Sequence, residues 1–482
     1  MGLLRVKRSI LFAGIFNRAS RKKEEYFRPA RFHHLFFIFH LSSFIFISCE
    51  RHSTPVTHRT PQLTLTVEET AVTETWLTLR TRNGLPGDRL QLYRNDSLLA
   101  ELDPTRPDTT FYDHGLLPAT DYRYLARWLR RGEEIVRSST AATRTMDTTS
   151  HNFTWQIDTI GTHSSVLFDV CILNENDVWA VGEIHTPETD RFDSLGNWVP
   201  PFNAAHWNGN EWSLERIPVV TAWGTQSRAP LKAVFAFAAD DLWVFGEAGS
   251  YGYWNGHIWK SEFVDARVGG INKIWGTSSS DIYFVGDNGN ITHYDGRSWW
   301  RLYSGTEVDL KDVFGFTNPL KIWICGHKND YSESLLLKVE GLKIKKIWSS
   351  NTYSPSLPLE GLVSSVCPLS ENYVIVAGGE GIYWMRNGNG SFSRKDTLQL
   401  GHFPNRVRGK SINDIFVIGY EGMIWHFNGI SWKKYSEIQN FTHHLYSLSI
   451  YKDFVVIVGA DYSHIQKKSV IYFGQRNSKN RR

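Results

Sequence analysis

Cysteine is scarce in this 482-residue chain: only Cys49, Cys171, Cys325 and Cys367 are present. None forms a CxxC pair, which leaves no zinc site of the usual spacing. Cys49 has a separate role, argued below, and the other three are an odd number. Cys171 and Cys367 fall at matching positions of two separate repeats, so all three are expected as buried free thiols. Nucleophile elbows (GxSxG), zincin motifs (HExxH), phosphate-binding loops and dinucleotide fingerprints are missing too. No cofactor and no catalytic residue is therefore expected. A long amphipathic helical pattern is also missing, and strand-like periods take its place.

What the chain has in quantity is rings, with 19 Trp, 20 Tyr and 28 Phe, and a repeated paragraph of sequence. The clearest copy is Ile271 to Trp300, INKIWGTSSSDIYFVGDNGNITHYDGRSWW. It reads as strand, turn, strand, turn, short strand, turn and the opening of a fourth strand. The glycine ending the second strand recurs at Gly182, Gly246, Gly286, Gly326, Gly378, Gly419 and Gly459, at spacings of 64, 40, 40, 52, 41 and 40. A unit of about 40 residues with four short strands predicts a β-propeller blade, and the two long spacings read as insertions. Third strands end in hairpin dipeptides that tolerate positive φ: Asn208-Gly209, Asn255-Gly256, Asp295-Gly296 and Asn428-Gly429. A tryptophan follows each (Trp212, Trp259, Trp299, Trp432) and is expected to open the fourth strand and pack between blades.

The seventh copy has no fourth strand of its own, since VIYFGQR from Val470 runs into the basic tail 477–482. An unpaired sheet edge would result. Residues 152–160 resemble the fourth strands elsewhere and are expected to complete the last blade, closing a propeller over 152–476. The expected fold class is thus all-β, a seven-bladed propeller preceded by a small immunoglobulin-like sandwich.

Residues 1–48 read as a signal peptide. Nine basic residues against two acidic ones precede the apolar run Leu35–Ser48. Phe46-Ile47-Ser48-Cys49 resembles the bacterial lipobox, which implies lipidation of Cys49 and anchoring in the cell envelope, with the outer membrane or cell surface favoured. The formal charge of +4 belongs to this segment; without it the chain carries roughly −3, which does not point to nucleic acid. Residues 49–61 read as a tether.

Residues 62–147 hold seven strand candidates, the density of a sandwich. Leu116, Pro118, Thr120 and Tyr122 match the Leu-x-Pro-x-Thr-x-Tyr of fibronectin type III. That resemblance implies that the Tyr122 hydroxyl bonds back to the chain. The strand-B tryptophan of that family is not evident, and Trp76 comes too early to replace it. Asp147–His151 reads as a short hinge. The blades resemble a bacterial envelope propeller family of pattern S-x-x-D-[VI]-[WYF]-x-V-G, often lipid-anchored and accompanied by fibronectin type III.

His206, His293 and His426 recur at one blade position, as do Asp177, Asp241, Asp281 and Asp414 before the second strands. Recurrence around a ring cannot converge on one centre, so these are read as structural, the aspartates bonding local amides. Asp190, Asp193 and Asn197 offer oxygen ligands but not EF-hand spacing, and no metal is assigned to them. The first-to-second and third-to-fourth turns are short and lie on one face, while the variable loops lie on the other. There Trp198, Phe202, Trp223 and Tyr353 have no repeat equivalent, and they are the candidate binding residues. The expected function is a lipid-anchored, monomeric scaffold that binds an envelope protein or a glycan. The alternatives are a glycan-active enzyme, which would need two carboxylates about 5–10 Å apart, or a spacer without a ligand. Replacing Cys49 with Ala is expected to abolish lipid attachment and maturation, read by mass spectrometry of the N-terminus.

Overall fold

A computed structural model of the chain describes residues 59–246, 249–264, 270–317, 320–350, 359, 361–379, 381–386, 392–396, 399–463 and 467–477. The signal segment, Cys49 and Tyr353 lie outside these residues. The remainder is built almost entirely of antiparallel strands.

Two sheets form the N-terminal sandwich. Gln62–Thr70, Glu74–Arg82 and Asp108–His114 make one. Ser97–Leu102, Arg89–Arg94, Asp121–Arg130 and Glu133–Arg137 make the other, with Ala141–Arg144 beside Asp121–Arg130. Alternation sends Leu77, Leu79, Tyr124 and Trp128 inward, and these are among the most completely buried side chains of its core. The Leu117 N–H donates to the Tyr122 hydroxyl at 2.9 Å.

Seven four-stranded antiparallel sheets follow, the first six with their strands in chain order. Their inner strands are Val166–Asn174, Leu231–Ala238, Ile271–Ser278, Leu310–Thr317, Val363–Pro368, Pro404–Ser411 and His443–Tyr451. Each inner strand touches that of the next sheet, and the first touches the last, so the sheets form a closed ring. The last sheet takes its fourth strand from the other end of the segment: Phe153–Ile160 pairs with Lys468–Arg476 from Phe153 opposite Arg476 to Ile160 opposite Ser469.

The recurring glycine serves close approach rather than a turn. A Cβ on Gly182, Gly286, Gly326, Gly419 or Gly459 would overlap the backbone carbonyl oxygen at the start of the paired inner strand. The recurring tryptophan sits between sheets. Trp259 of the second sheet packs 5.8 Å from Trp179 of the first, and Trp299 of the third 6.1 Å from Phe245 of the second. Trp212 of the first lies 5.8 Å from Phe473 of the last.

The sandwich docks on the short-turn face of the ring. Trp76 is only 6% exposed although it points away from the sandwich core, because it packs into the fifth and sixth sheets. Its indole N–H donates to the Tyr373 hydroxyl at 2.9 Å, and Tyr373 in turn donates to Glu74 at 2.5 Å. Val72 fills the space beside Gly429 in the hairpin of the sixth sheet. The segment read as a hinge is bonded along its length. Asn413 donates to the Asp147 carbonyl at 2.7 Å, Arg476 to that of Ser150 at 2.7 Å, and the Tyr435 hydroxyl to that of His151 at 2.8 Å.

Deleting residues 152–160 is expected to lower the melting temperature and promote aggregation, because it unpairs the edge of the last sheet. An equal deletion of 191–199 should do much less. Equal melting of the two variants would place closure elsewhere.

Candidate binding site

The site is built by one irregularity repeated seven times. Every inner strand shifts register near its start, between Leu167 and Asp169, Leu231 and Ala233, Ile271 and Lys273, Leu310 and Asp312, Val363 and Ser365, Pro404 and Arg406, and Leu445 and Ser447. Such a bulge leaves one residue unpaired and re-aims its neighbours. The unpaired residues are Phe168, Lys232, Asn272, Lys311, Ser364, Asn405 and Tyr446, and all seven line one cavity of about 300 Å³. This cavity is the mouth of the central channel on the face of the variable loops.

The residues just after the shift point into the channel and plug it. Asp169 of the first sheet takes the Lys273 ammonium of the third, the Ser447 hydroxyl of the last at 2.6 Å and the Val234 N–H of the second at 3.0 Å. Asp312 of the fourth sheet takes Arg406 and Arg408 of the sixth, each at 2.6 Å, and the Val366 N–H of the fifth at 3.1 Å. Burial alone would raise the Asp312 carboxyl, but the two arginines outweigh it and hold it well below the usual range. Burial lowers the Lys273 ammonium against the pull of Asp169. Beyond the plug a second cavity of about 320 Å³, with Trp275, Phe314 and Lys410 in its wall, opens on the short-turn side.

Above the plug, the mouth has one aromatic and one cationic character. Phe403 and Tyr420 lie 6.0 Å apart, Phe168 and Tyr446 6.3 Å apart, and the hydroxyls of Tyr446 and Tyr462 meet at 2.7 Å. Burial pushes the Tyr446 hydroxyl well above the usual phenol range. Lys232 stands 3.7 Å over the Phe168 ring, and Lys311 is held by Asp309 at 3.3 Å and Asn329 at 3.0 Å.

The aromatic residues singled out in the sequence stand on the insertions of the first sheet. Trp198 is 50% exposed in the hairpin Arg191–Phe192/Trp198–Val199 and packs on Phe192 at 5.4 Å. Trp223 is 87% exposed at the tip of a second hairpin, Val219–Val220/Gln226–Ser227. Phe202 is half-buried and stacks under the Arg216 guanidinium at 3.7 Å. The two tryptophans thus occupy separate hairpins, and Phe202 belongs to the blade. Asp190 and Asp193 have partners of their own, His185 at 2.6 Å and the Leu195 and Asn197 amides at 2.9 and 2.8 Å.

The recurring aspartates bond mainly to side chains rather than to local amides. His206, His293 and His426 bond Asp177, Asp281 and Asp414 at 2.9, 2.8 and 3.0 Å. Each imidazole also packs on the aromatic opposite it, Trp179, Tyr283 or Phe416. The second sheet has Tyr253 in place of His, and there Asp241 accepts the Trp243 indole N–H at 3.1 Å. The residues missed by sequence reasoning are the mouth and plug residues. Aligning the inner strands one position before and at the post-bulge site gives the columns that reveal them.

No protein-family model matches the chain, and no curated protein matches it. Among solved structures, YCF48 bound to D1 peptide aligns with a TM-score of 0.51 at 12% identity, over 68% of this chain and 99% of that one. The WD40 β-propeller domain of Doa1 aligns with a TM-score of 0.47 at 11% identity, over 68% of this chain and 98% of that one. The first likeness bears on the fold alone and agrees with the β-propeller ring of four-stranded sheets.

The sixth sheet carries a pH-sensitive relay. The Ser431 hydroxyl meets His151 Nε2 at 3.2 Å, the two Nδ1 atoms of His151 and His426 lie 2.8 Å apart, and His426 Nε2 meets Asp414. The partners assign donation from Ser431 to His151 to His426 to Asp414, with both rings neutral. Burial, with His426 adding, pushes His151 down to about 4, and burial lowers His426, His327 and His443 as well. Unfolded histidines titrate near 6.5, so between about 6.5 and 4 the unfolded chain binds more protons. Stability should be full above about pH 6.5 and fall as pH drops through that window. Melting temperatures from pH 7.5 to 5 check this, and His151→Gln should flatten the slope.

Proposed function

We propose that the chain is a lipid-anchored scaffold of the bacterial cell envelope that captures a protein partner on the loop face of its propeller. The reading takes the seven sheets as seven blades and the N-terminal sandwich as fibronectin type III-like. The lipid would sit on Cys49 and the protein would act as a monomer.

One observation carries the proposal. The sandwich occupies part of the short-turn face, whereas the opposite face holds the unrepeated hairpins with Trp198 and Trp223 exposed. Exposed tryptophans on a rigid scaffold supply large contact area at little cost in conformational entropy. The fold neighbour YCF48, described with D1 peptide, supports a peptide or protein as the partner class.

Replacing both Trp198 and Trp223 with Ala is expected to weaken capture of the partner from solubilised membranes at least roughly thirtyfold, the loss of about 2 kcal/mol or more typical of aromatic anchors. Melting should be unchanged. Asn210→Ala and Arg297→Ala, on the short-turn side, should leave capture intact. Capture that follows the sandwich instead would reverse the assignment of faces.

A further inference from the structure

The channel mouth is a blind cavity with an unmet demand for an acceptor. Arg406 lies at its base and is 8% exposed. Its Nη1 is committed to Asp312 at 2.6 Å, while its Nε has no hydrogen-bond partner among the described residues. A buried guanidinium N–H without a partner is rare and destabilising. Lys232 and Lys311 join Arg406 in the wall, and none of the described lining residues is acidic. Although Lys311 is paired with Asp309 and Arg406 with Asp312, the wall itself presents three cations and no carboxylate among its described residues, and so favours an anion over an amine.

Its shape narrows the choice. A volume of about 300 Å³ lies at the small end of ligand pockets, enough for one residue-sized group. The Asp169 and Asp312 clusters close the channel below, so the group must enter end-on. Phe403 and Tyr420 offer an apolar surface for its body. Asp312 holds Nη1, so the Nε–H is the Arg406 donor left to meet a ligand. Beside the rings of Phe403 and Tyr420 that donor suits a carboxylate on an apolar body, whereas phosphate and sulfate carry no apolar part to cover those rings.

We propose that the mouth of the channel is a binding site for a carboxylate group carried on a small apolar body, either a free organic acid or the C-terminal residue of a peptide. This site is separate from the tryptophan hairpins and goes beyond protein capture. Loss of capture in the tryptophan variant bears on the scaffold reading; the test below bears on the cavity.

The test uses the full folded chain with four probes: 3-phenylpropionate, its amide, and N-acetyl-Gly-Phe as free acid and as amide. Binding is followed by saturation-transfer NMR and calorimetry. At least one acid is expected to bind ten- to a hundredfold more tightly than its amide, the range for a hydrogen bond to a charged group. The tighter of the two acids identifies the source, free acid or chain end. Lys232→Gln with Lys311→Gln should weaken the acid about tenfold or more at unchanged melting temperature, which keeps the test independent of Arg406 and its part in the plug. The proposal is overturned if no acid binds at millimolar concentration, if acids and amides bind alike, or if phosphate or sulfate displaces the acid as well as a second carboxylate does.

Discussion

Two buried carboxylates hold the centre of the ring. Asp169 gathers donors from the second, third and seventh sheets, and Asp312 gathers them from the fifth and sixth. Together with their own sheets, the first and the fourth, they reach every blade through an atom of an inner strand. Buried ion pairs add little net stability, but breaking one by removing a single partner leaves an uncompensated charge, a penalty of about 3–5 kcal/mol. Their value here is geometric. Apolar packing between sheets tolerates small rotations, whereas a carboxylate with three or four donors converging on it fixes where each inner strand meets the axis.

That fixed axis gives the bulges their meaning. The backbone distortion recurs in every blade while the residue it exposes changes, from Phe168 to Lys232 to Asn272 and onward. Framework and lining are therefore separable. Ladder pairing and the glycine–carbonyl approach constrain one set of positions, and the mouth draws on a set that neither constrains. A rigid scaffold with one freely chosen side chain per blade can change ligand without changing fold.

The framework was legible because its causes are local. Asn-Gly and Asp-Gly turns, the glycine that admits a carbonyl and the tryptophan after each hairpin recur in register, and their agreement in several copies outweighs any single position. The strand at 153–160 was legible for the same reason, since it repeats a pattern lacking at the other end. The plug was not. Asp169, Lys273, Asp312 and Arg406 look like solvent-facing polar residues in their own strands, and only the convergence of seven strands puts them together. The place of Trp76 was not legible either. Alternation in its strand suggests either core or an exposed ring, and what buries it is Tyr373, nearly three hundred residues later. The link read as a hinge had the composition of one. Its partners Asn413, Tyr435 and Arg476 belong to distant strands and leave no local mark.

Those bonds to residues 147–151 have a mechanical meaning. The chain runs from the sandwich directly into Phe153–Ile160, the strand that closes the ring. With a free link, any pull entering through the sandwich would act on the end of that strand and peel it from Lys468–Arg476 one bond at a time. As built, tension passes first into Trp76 and Tyr373 and then through Asp147, Ser150 and His151 into the sixth and seventh sheets. The arrangement works like the clamp that grips a cable ahead of its solder joint: the closing strand is spared the force that the sandwich receives.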